Sequence, residues 1–181
     1  MNLLIVVDMQ NDFINGSLGT KEAESIVDNV VNYVENFKGD MIFTQDTHYN
    51  DYLKTSEGKK LPVPHCIVGT SGRDLHYKLI DVIRRRQEEK DTKIGTISKN
   101  TFGYMDFPVK INLSELDNHR YDTIYICGLC TDICVVSNAM ILKASYPDKK
   151  IVVLKDLCAG TTPENHQKAL DIMECCQIDI L

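Results

Sequence analysis

The amino-acid sequence predicts a three-layer α/β/α protein, a mostly parallel open sheet flanked by helices, and three observations carry that prediction. Short, nearly continuous apolar runs rich in β-branched residues recur along the chain, as expected of parallel strands buried on both faces. Amphipathic helical patterns lie between these runs. The two kinds of segment alternate, which indicates parallel strands joined by crossover helices.

The strand runs are 3–7 (LLIVV), 41–44 (MIFT), 123–127 (TIYIC) and 151–154 (IVVL). A less apolar run, 93–98 (KIGTIS), is a weaker strand candidate, and 178–181 can add a last one. Among the helices, Ile26, Val30, Val34 and Phe37 recur at helical spacing within 22–38, and Leu75, Leu79, Val82 and Ile83 do so within 73–86. A helix over 131–145 follows a cluster of cysteines. Pro163 suits the first position of the last helix, 163–175, where a missing N–H costs nothing. In such sheets ligands bind at the carboxyl ends of the strands, so reactive residues are sought there.

Composition narrows the function classes. The 181 residues, 20.5 kDa, are expected to form a single domain, 1–181, with a substantial core. A net charge of −6 gives no support to nucleic-acid or anionic-membrane binding, and Arg84-Arg85-Arg86, followed by Glu88 and Glu89, reads as a solvated helix end. No secretory leader is visible, and no apolar run approaches the roughly 20 residues that span a membrane. Seven cysteines, an odd number without an export signal, point to reduced thiols in the cytoplasm. Cys175-Cys176 are expected as buried small hydrophobes.

Segment 45–72 is out of proportion. It runs for about 28 residues with little periodicity, a length that is usually functional or disordered, and its His and Pro content favours function. Asp46, His48 and His65 lie in it. One carboxylate and two imidazoles suit Zn²⁺, Mn²⁺ or Fe²⁺ with positions left open, although surface or capping roles are the plainer reading.

Residues 127–135 (CGLCTDICV) hold Cys127, Cys130 and Cys134. The first two have the CxxC form of a redox pair, but such a pair opens a helix, and Cys127 still belongs to the predicted strand. A metal cluster needs further cysteines, and Cys66 and Cys158 are isolated. Three thiols buried in a strand–helix turn remain an alternative. Cys134 stands apart, because it falls in the first turn of the helix. There the free N–H groups and the helix dipole favour a thiolate and can hold a developing oxyanion. Asp8 directly follows 3–7 and Lys99 directly follows 93–98, which offers an acid/base and a cation at other strand ends. A loop cap and a solvated lysine are the plainer readings of these two.

VVDMQNDF, DTHYND, PHCIVGTSG, SKNTFG and GLCTDICV, in this order over nearly the whole chain, resemble the isochorismatase-like cysteine hydrolases, and nicotinamidases in particular. The resemblance implies an isochorismatase-like, Rossmann-like fold and a catalytic triad of Asp8, Lys99 and Cys134. It implies a cis peptide between Leu129 and Cys130 that turns the Cys130 N–H toward an oxyanion site beside the Cys134 N–H. Asp46, His48 and His65 match the nicotinamidase metal ligands, where the metal holds the substrate's pyridine nitrogen. Zinc is the expected ion, with manganese or iron as alternatives. The implied substrate is a small amide, nicotinamide first and another amide or ureido acid second. A homo-oligomer, dimer or tetramer, is also implied. Rival classes are a metal-dependent oxygenase on the same three ligands and a non-catalytic binding protein.

Two departures bear on the substrate. Pro62-Val63-Pro64 stands where nicotinamidases often carry a tryptophan, and the chain has no Trp. NTFGYMDF after Lys99 also differs from the usual serine- and tyrosine-containing segment. Phe13, Phe102 and Tyr104 are expected as an aromatic wall instead, core packing being the plainer role of all three.

Overall fold

The computed structural model describes residues 1–89, 92–113 and 121–181. Six strands form one sheet: β1 (Asn2–Val7), β2 (Asp40–Asp46), β3 (Ile94–Lys99), β4 (Thr123–Leu129), β5 (Lys150–Ala159) and β6 (Asp179–Ile180). Their spatial order is β3-β2-β1-β4-β5-β6, and every neighbouring pair is parallel. Among the described residues seven α-helices accompany them: α1 (Asn11–Ile14), α2 (Lys21–Asn36), α3 (Ser56–Lys60), α4 (Tyr77–Gln87), α5 (Phe107–Leu113), α6 (Val136–Ser145) and α7 (Pro163–Cys175).

From β1 the chain moves outward one strand at a time to β3, then returns to β4 on the other side of β1 and moves outward again. Right-handed crossovers therefore place α2 and α4 on one face and α6 and α7 on the other. The reversal opens a crevice beyond the carboxyl ends of β1 and β4. Leu3 to Val7 in β1 are completely buried, in keeping with its place between β2 and β4.

β3 explains its weak sequence signal. It is an edge strand with partly exposed residues, so no continuous apolar run is required of it. The helix expected over 73–86 begins only at Tyr77, because Leu75 bridges Gln10 and the His76 N–H donates to the Met9 carbonyl at 2.9 Å. The helix expected over 131–145 opens with a π-turn, Thr131–Val135, in which the Val135 N–H reaches back to the Cys130 carbonyl at 3.0 Å. Cys175 and Cys176 correct the expectation of burial, since both are exposed. The inward face of α7 is Ala169, Leu170 and Met173. The helix then ends, and Ile178, not a cysteine, fills the next inward place.

Thr20 and Thr162 cap α2 and α7, accepting the N–H groups of Ala23 at 3.0 Å and Asn165 at 3.1 Å. Among the described residues no helix is long and apolar enough to cross a membrane.

Candidate active site

Four strand ends and the long loop supply the site. Asp8 follows β1 with a φ of 46°, a left-handed conformation uncommon outside glycine, and is completely buried. The Thr44 hydroxyl of β2 donates to its Oδ1 at 2.7 Å and accepts its N–H at 3.2 Å, which fixes the carboxylate. Lys99 is the last residue of β3, in register with Asp46 of β2. Its long side chain crosses the end of β2 to bring Nζ within 2.6 Å of Asp8 Oδ2, 3.5 Å of Cys134 Sγ and 3.8 Å of Asp46 Oδ1. Cys134 comes from the π-turn after β4. Three residues more than ninety positions apart at their extremes thus share one buried point.

Gly128 makes this convergence possible. It adopts a φ of 117°, and a Cβ there would overlap the Val7 carbonyl oxygen. The Leu129–Cys130 peptide that follows is cis.

Burial, reinforced by the Asp8 carboxylate, holds the Cys134 thiol well above its ordinary pKa, against the pull of Lys99. This reverses the expectation of a ready thiolate, because removal from water outweighs the lysine that favours charge. Burial also raises Asp8, opposed by Lys99. Burial alone would lower Lys99, but Asp8, Cys134 and Asp46 together hold it above its ordinary value and keep it charged. The resting site is therefore a lysine cation beside a carboxyl group and a thiol that burial holds against ionisation.

Asp46, His48 and His65 gather next to this point, each offering one ligand atom within 4.8 Å of the others. Asp46 Oδ2 lies 2.9 Å from His48 Nε2 and 3.4 Å from His65 Nε2. His65 Nδ1 lies 2.8 Å from the Val63 carbonyl, which can only accept, so Nδ1 carries a proton and Nε2 is the atom turned toward Asp46. His48 Nε2 is buried without an aligned hydrogen-bond partner. Two buried imidazole nitrogens facing one carboxylate are a donor set that fits a divalent cation.

A cavity of about 320 Å³ runs between the two groups. Cys130 and Cys134 stand on its wall with Asp46, His65 and Glu57, and Phe13, Leu18, Leu61, Phe102 and Ile133 make it mainly apolar. Among the described residues no lysine or arginine lines it. Phe13 and Phe102 are thus on the wall. Tyr104 is not; its ring stands edge-on to Phe107 at 5.3 Å. A recess of about 360 Å³ among Asn2, Tyr33 and Lys38 lies at the opposite end of the sheet, and among the described residues no cysteine, serine or threonine lines it.

The chain matches the isochorismatase domain family over residues 2–180. It belongs to that family. The nicotinamidase/pyrazinamidase of Mycobacterium tuberculosis is 27% identical over 187 residues, covering 100% of this chain and 98% of that protein. The crystal structure of a pyrazinamidase/nicotinamidase from Streptococcus mutans superimposes with a TM-score of 0.80 at 28% identity, covering 100% of both chains. That of the Pyrococcus horikoshii pyrazinamidase, in complex with zinc, gives 0.74 at 26% identity, covering 99% of this chain and 98% of that one. This isochorismatase-family chain is an enzyme, a hydrolase.

Four further residues of this family member shape the site and escape sequence reasoning. Glu57 of α3 places Oε1 3.6 Å from both imidazole Nε2 atoms, the position of a further donor. Tyr52 is buried against both rings, with centroids 4.7 Å from His48 and 4.9 Å from His65, and its hydroxyl donates to the Leu61 carbonyl at 3.0 Å. Gln10 clasps the Asp46 backbone from both sides. Its Oε1 accepts the Asp46 N–H at 2.7 Å and its Nε2 donates to the Asp46 carbonyl at 2.9 Å. Asp12 accepts the Cys66 N–H at 2.7 Å, beside His65.

These contacts lead to a prediction for the metal. The protein is expected to hold about one divalent ion per chain, lost in His48→Ala and His65→Ala. Asp12→Ala, which only removes support, should weaken it roughly 10-fold or more. Elemental analysis and competition with a chromophoric chelator measure both. Equal affinity in His65→Ala and wild type would remove this donor set from consideration.

Proposed function

We propose that this hydrolase is a cysteine amidohydrolase for a small, uncharged heteroaromatic carboxamide, nicotinamide in the first instance, which it converts to nicotinate and ammonia. It acts as a single domain, 1–181. One observation carries the reading: Asp8 and Lys99 meet behind Cys134 on the wall of a mainly apolar cavity that also reaches a set of metal donors, and among the described residues no lysine or arginine lines that cavity.

The steps follow from the proton balance. Cys134 enters as a thiol, and Asp8 takes its proton as sulfur attacks the amide carbonyl. Lys99 stays charged and offsets the negative charge that the acid and the sulfur share. The N–H groups of Cys130 and Cys134 receive the oxyanion. Asp8 returns the proton to the departing nitrogen, ammonia leaves, and a thioester remains. Asp8 then takes a proton from water, which attacks the thioester, and the acid product and Cys134 thiol are released. Held by Asp46, His48 and His65 with Glu57 beside them, a divalent ion, zinc first and manganese or iron as alternatives, would supply a Lewis acid for a ring nitrogen at that end of the cavity. The zinc complex of the Pyrococcus relative supports that choice.

Ureido acids and other carboxylate-bearing substrates bring a charge that this cavity does not neutralise. Ammonia release from nicotinamide and pyrazinamide is therefore expected to exceed that from ureido acids by roughly 100-fold in kcat/KM, equal to about 2.7 kcal/mol. A preference for a ureido acid would overturn the substrate assignment and leave the triad standing.

All seven cysteines are free, which agrees with a reducing compartment and supports the cytoplasmic assignment. A dimer or tetramer is part of the proposal, and sedimentation equilibrium tests it.

A further inference from the structure

Asn138 lies one helical turn beyond Cys134 on α6 and is completely buried, yet it is no part of the triad, the cavity lining or the metal donors. Its Nδ2 donates to the Cys134 carbonyl at 2.8 Å and, more weakly, to the Phe102 carbonyl at 3.4 Å. Its Oδ1 accepts the Tyr104 N–H at 2.8 Å. One amide thus joins the turn of the proposed nucleophile to both sides of Gly103.

Gly103 brings that loop against α6. A Cβ at Gly103 would stand 2.5 Å from Ile141 Cδ1 and 3.2 Å from Ser137 Cβ, so a larger residue requires a shift. The Thr101 hydroxyl closes the turn from within, donating to the Gly103 carbonyl at 2.7 Å. Phe102, between these two anchored residues, is half-exposed and lines the cavity. The loop begins directly after Lys99, so its backbone is tied at one end to the triad and at the other to Asn138.

We propose that Asn138 is a positioning residue for substrate selection, which sets the Phe102 wall at a fixed distance from Cys134 and so favours flat aromatic amides over slender aliphatic ones. The proposal rests on the hydrolase reading above. Both halves of the amide are needed. Aspartate keeps the acceptor for Tyr104 but turns the donor into a second carboxylate oxygen facing two carbonyls. Alanine leaves the Tyr104 N–H without this partner, which costs more than the bond itself contributes. Either change frees the loop that carries the wall and also removes a contact with the Cys134 carbonyl, but the Cys134 sulfur keeps its contact with Lys99, so ground-state binding is lost more than turnover.

Steady-state kinetics on the preferred aromatic amide test this. N138A, N138D and G103A are expected to raise KM roughly 10-fold, about 1.4 kcal/mol, with kcat within about twofold of wild type. Phe102→Ala should do the same, and adding N138A to it should cost little more, since both act through one wall. G103A/I141V should recover most of the lost affinity, because valine lacks the Cδ1 that a Cβ at Gly103 would meet. A second readout needs no substrate: the ratio of Cys134 alkylation by N-phenyl iodoacetamide to that by iodoacetamide, followed by peptide mass spectrometry. It should fall in N138A and in F102A. If wild type hydrolyses no amide, the functional reading fails while this ratio still decides the positioning role. An unchanged ratio and unchanged KM in N138A, with only a lower thermal midpoint, would reduce Asn138 to a structural residue.

Discussion

Cys134→Ala is expected to lower amide hydrolysis on the order of 10⁴-fold or more, while Cys127→Ala and Cys158→Ala keep most of it. The two control cysteines are as buried as Cys134, so burial does not separate them; contact with the acid and the cation does. Cys127 is completely buried and its thiol is pushed well above the usual range, chiefly by that burial. Cys158 is likewise pushed up by burial, to about 12. Among the described residues neither is set against an acid able to take its proton. In the proposed triad the members act as a unit, so Asp8→Ala added to Cys134→Ala should cost almost nothing further. Circular dichroism guards against a folding artefact. Wild-type turnover in folded Cys134→Ala would end the nucleophile assignment.

Lys99→Met is expected to have the next largest effect, and its sign can be worked out. The Lys99 cation lowers the pKa of both Asp8 and Cys134 against the burial that raises them. Removing it leaves burial unopposed, so the thiol rises further and its alkylation profile moves to higher pH. A shift of one unit corresponds to about 1.4 kcal/mol and slows alkylation at neutral pH about 10-fold. Cys175 and Cys176 are exposed and react with the same reagent, so the rate must be read site by site.

Stability supplies a second check on Lys99. A folded-state pKa above the unfolded one favours the native state only while the group is protonated. Asp8 is already in that position, and more so in the mutant. Both proteins should lose stability as pH rises from the ordinary carboxyl range, about 4, and the gap should open above the wild-type Asp8 value, where only Lys99→Met still keeps Asp8 protonated. Urea midpoints at several pH values measure this. Alkylation and stability profiles that both match wild type would make Lys99 an ordinary buried lysine.

Much of the architecture is legible in the sequence because buried central strands leave a local record. LLIVV and TIYIC are apolar on both faces as each lies between two neighbours, whereas KIGTIS, at an edge, is not obliged to be. Asp8 and Lys99 are marked as strand-end residues by the runs before them, while their grouping with Cys134 as a triad is what the family resemblance implies. Glu57 could not. In the loop it is chemically equal to Asp51, and only the packing of α3 brings its carboxylate to the imidazoles. Tyr52 is hidden for the same reason. The expected thiolate failed because a helix N-terminus is a local signal, while the desolvation that opposes it comes from the whole fold. Tyr104 is absent from the cavity wall because Phe102, two residues earlier, faces it, while the Tyr104 ring stands against Phe107.

The segment after β1 has a mechanical consequence. Alternate residues Asp8, Gln10 and Asp12 hold Lys99, Asp46 and the Cys66 peptide, three parts of the chain with no covalent reason to stay together. Five consecutive positions therefore act as a keystone. An opening of that stretch would separate the acid from its lysine and unclasp the strand end and the turn that present Asp46 and His65. The site cannot fray one component at a time, and its assembled state should give way in a single step. Amide exchange at Asp46 and Cys66, whose N–H groups end on Gln10 and Asp12, is expected to slow and quicken together.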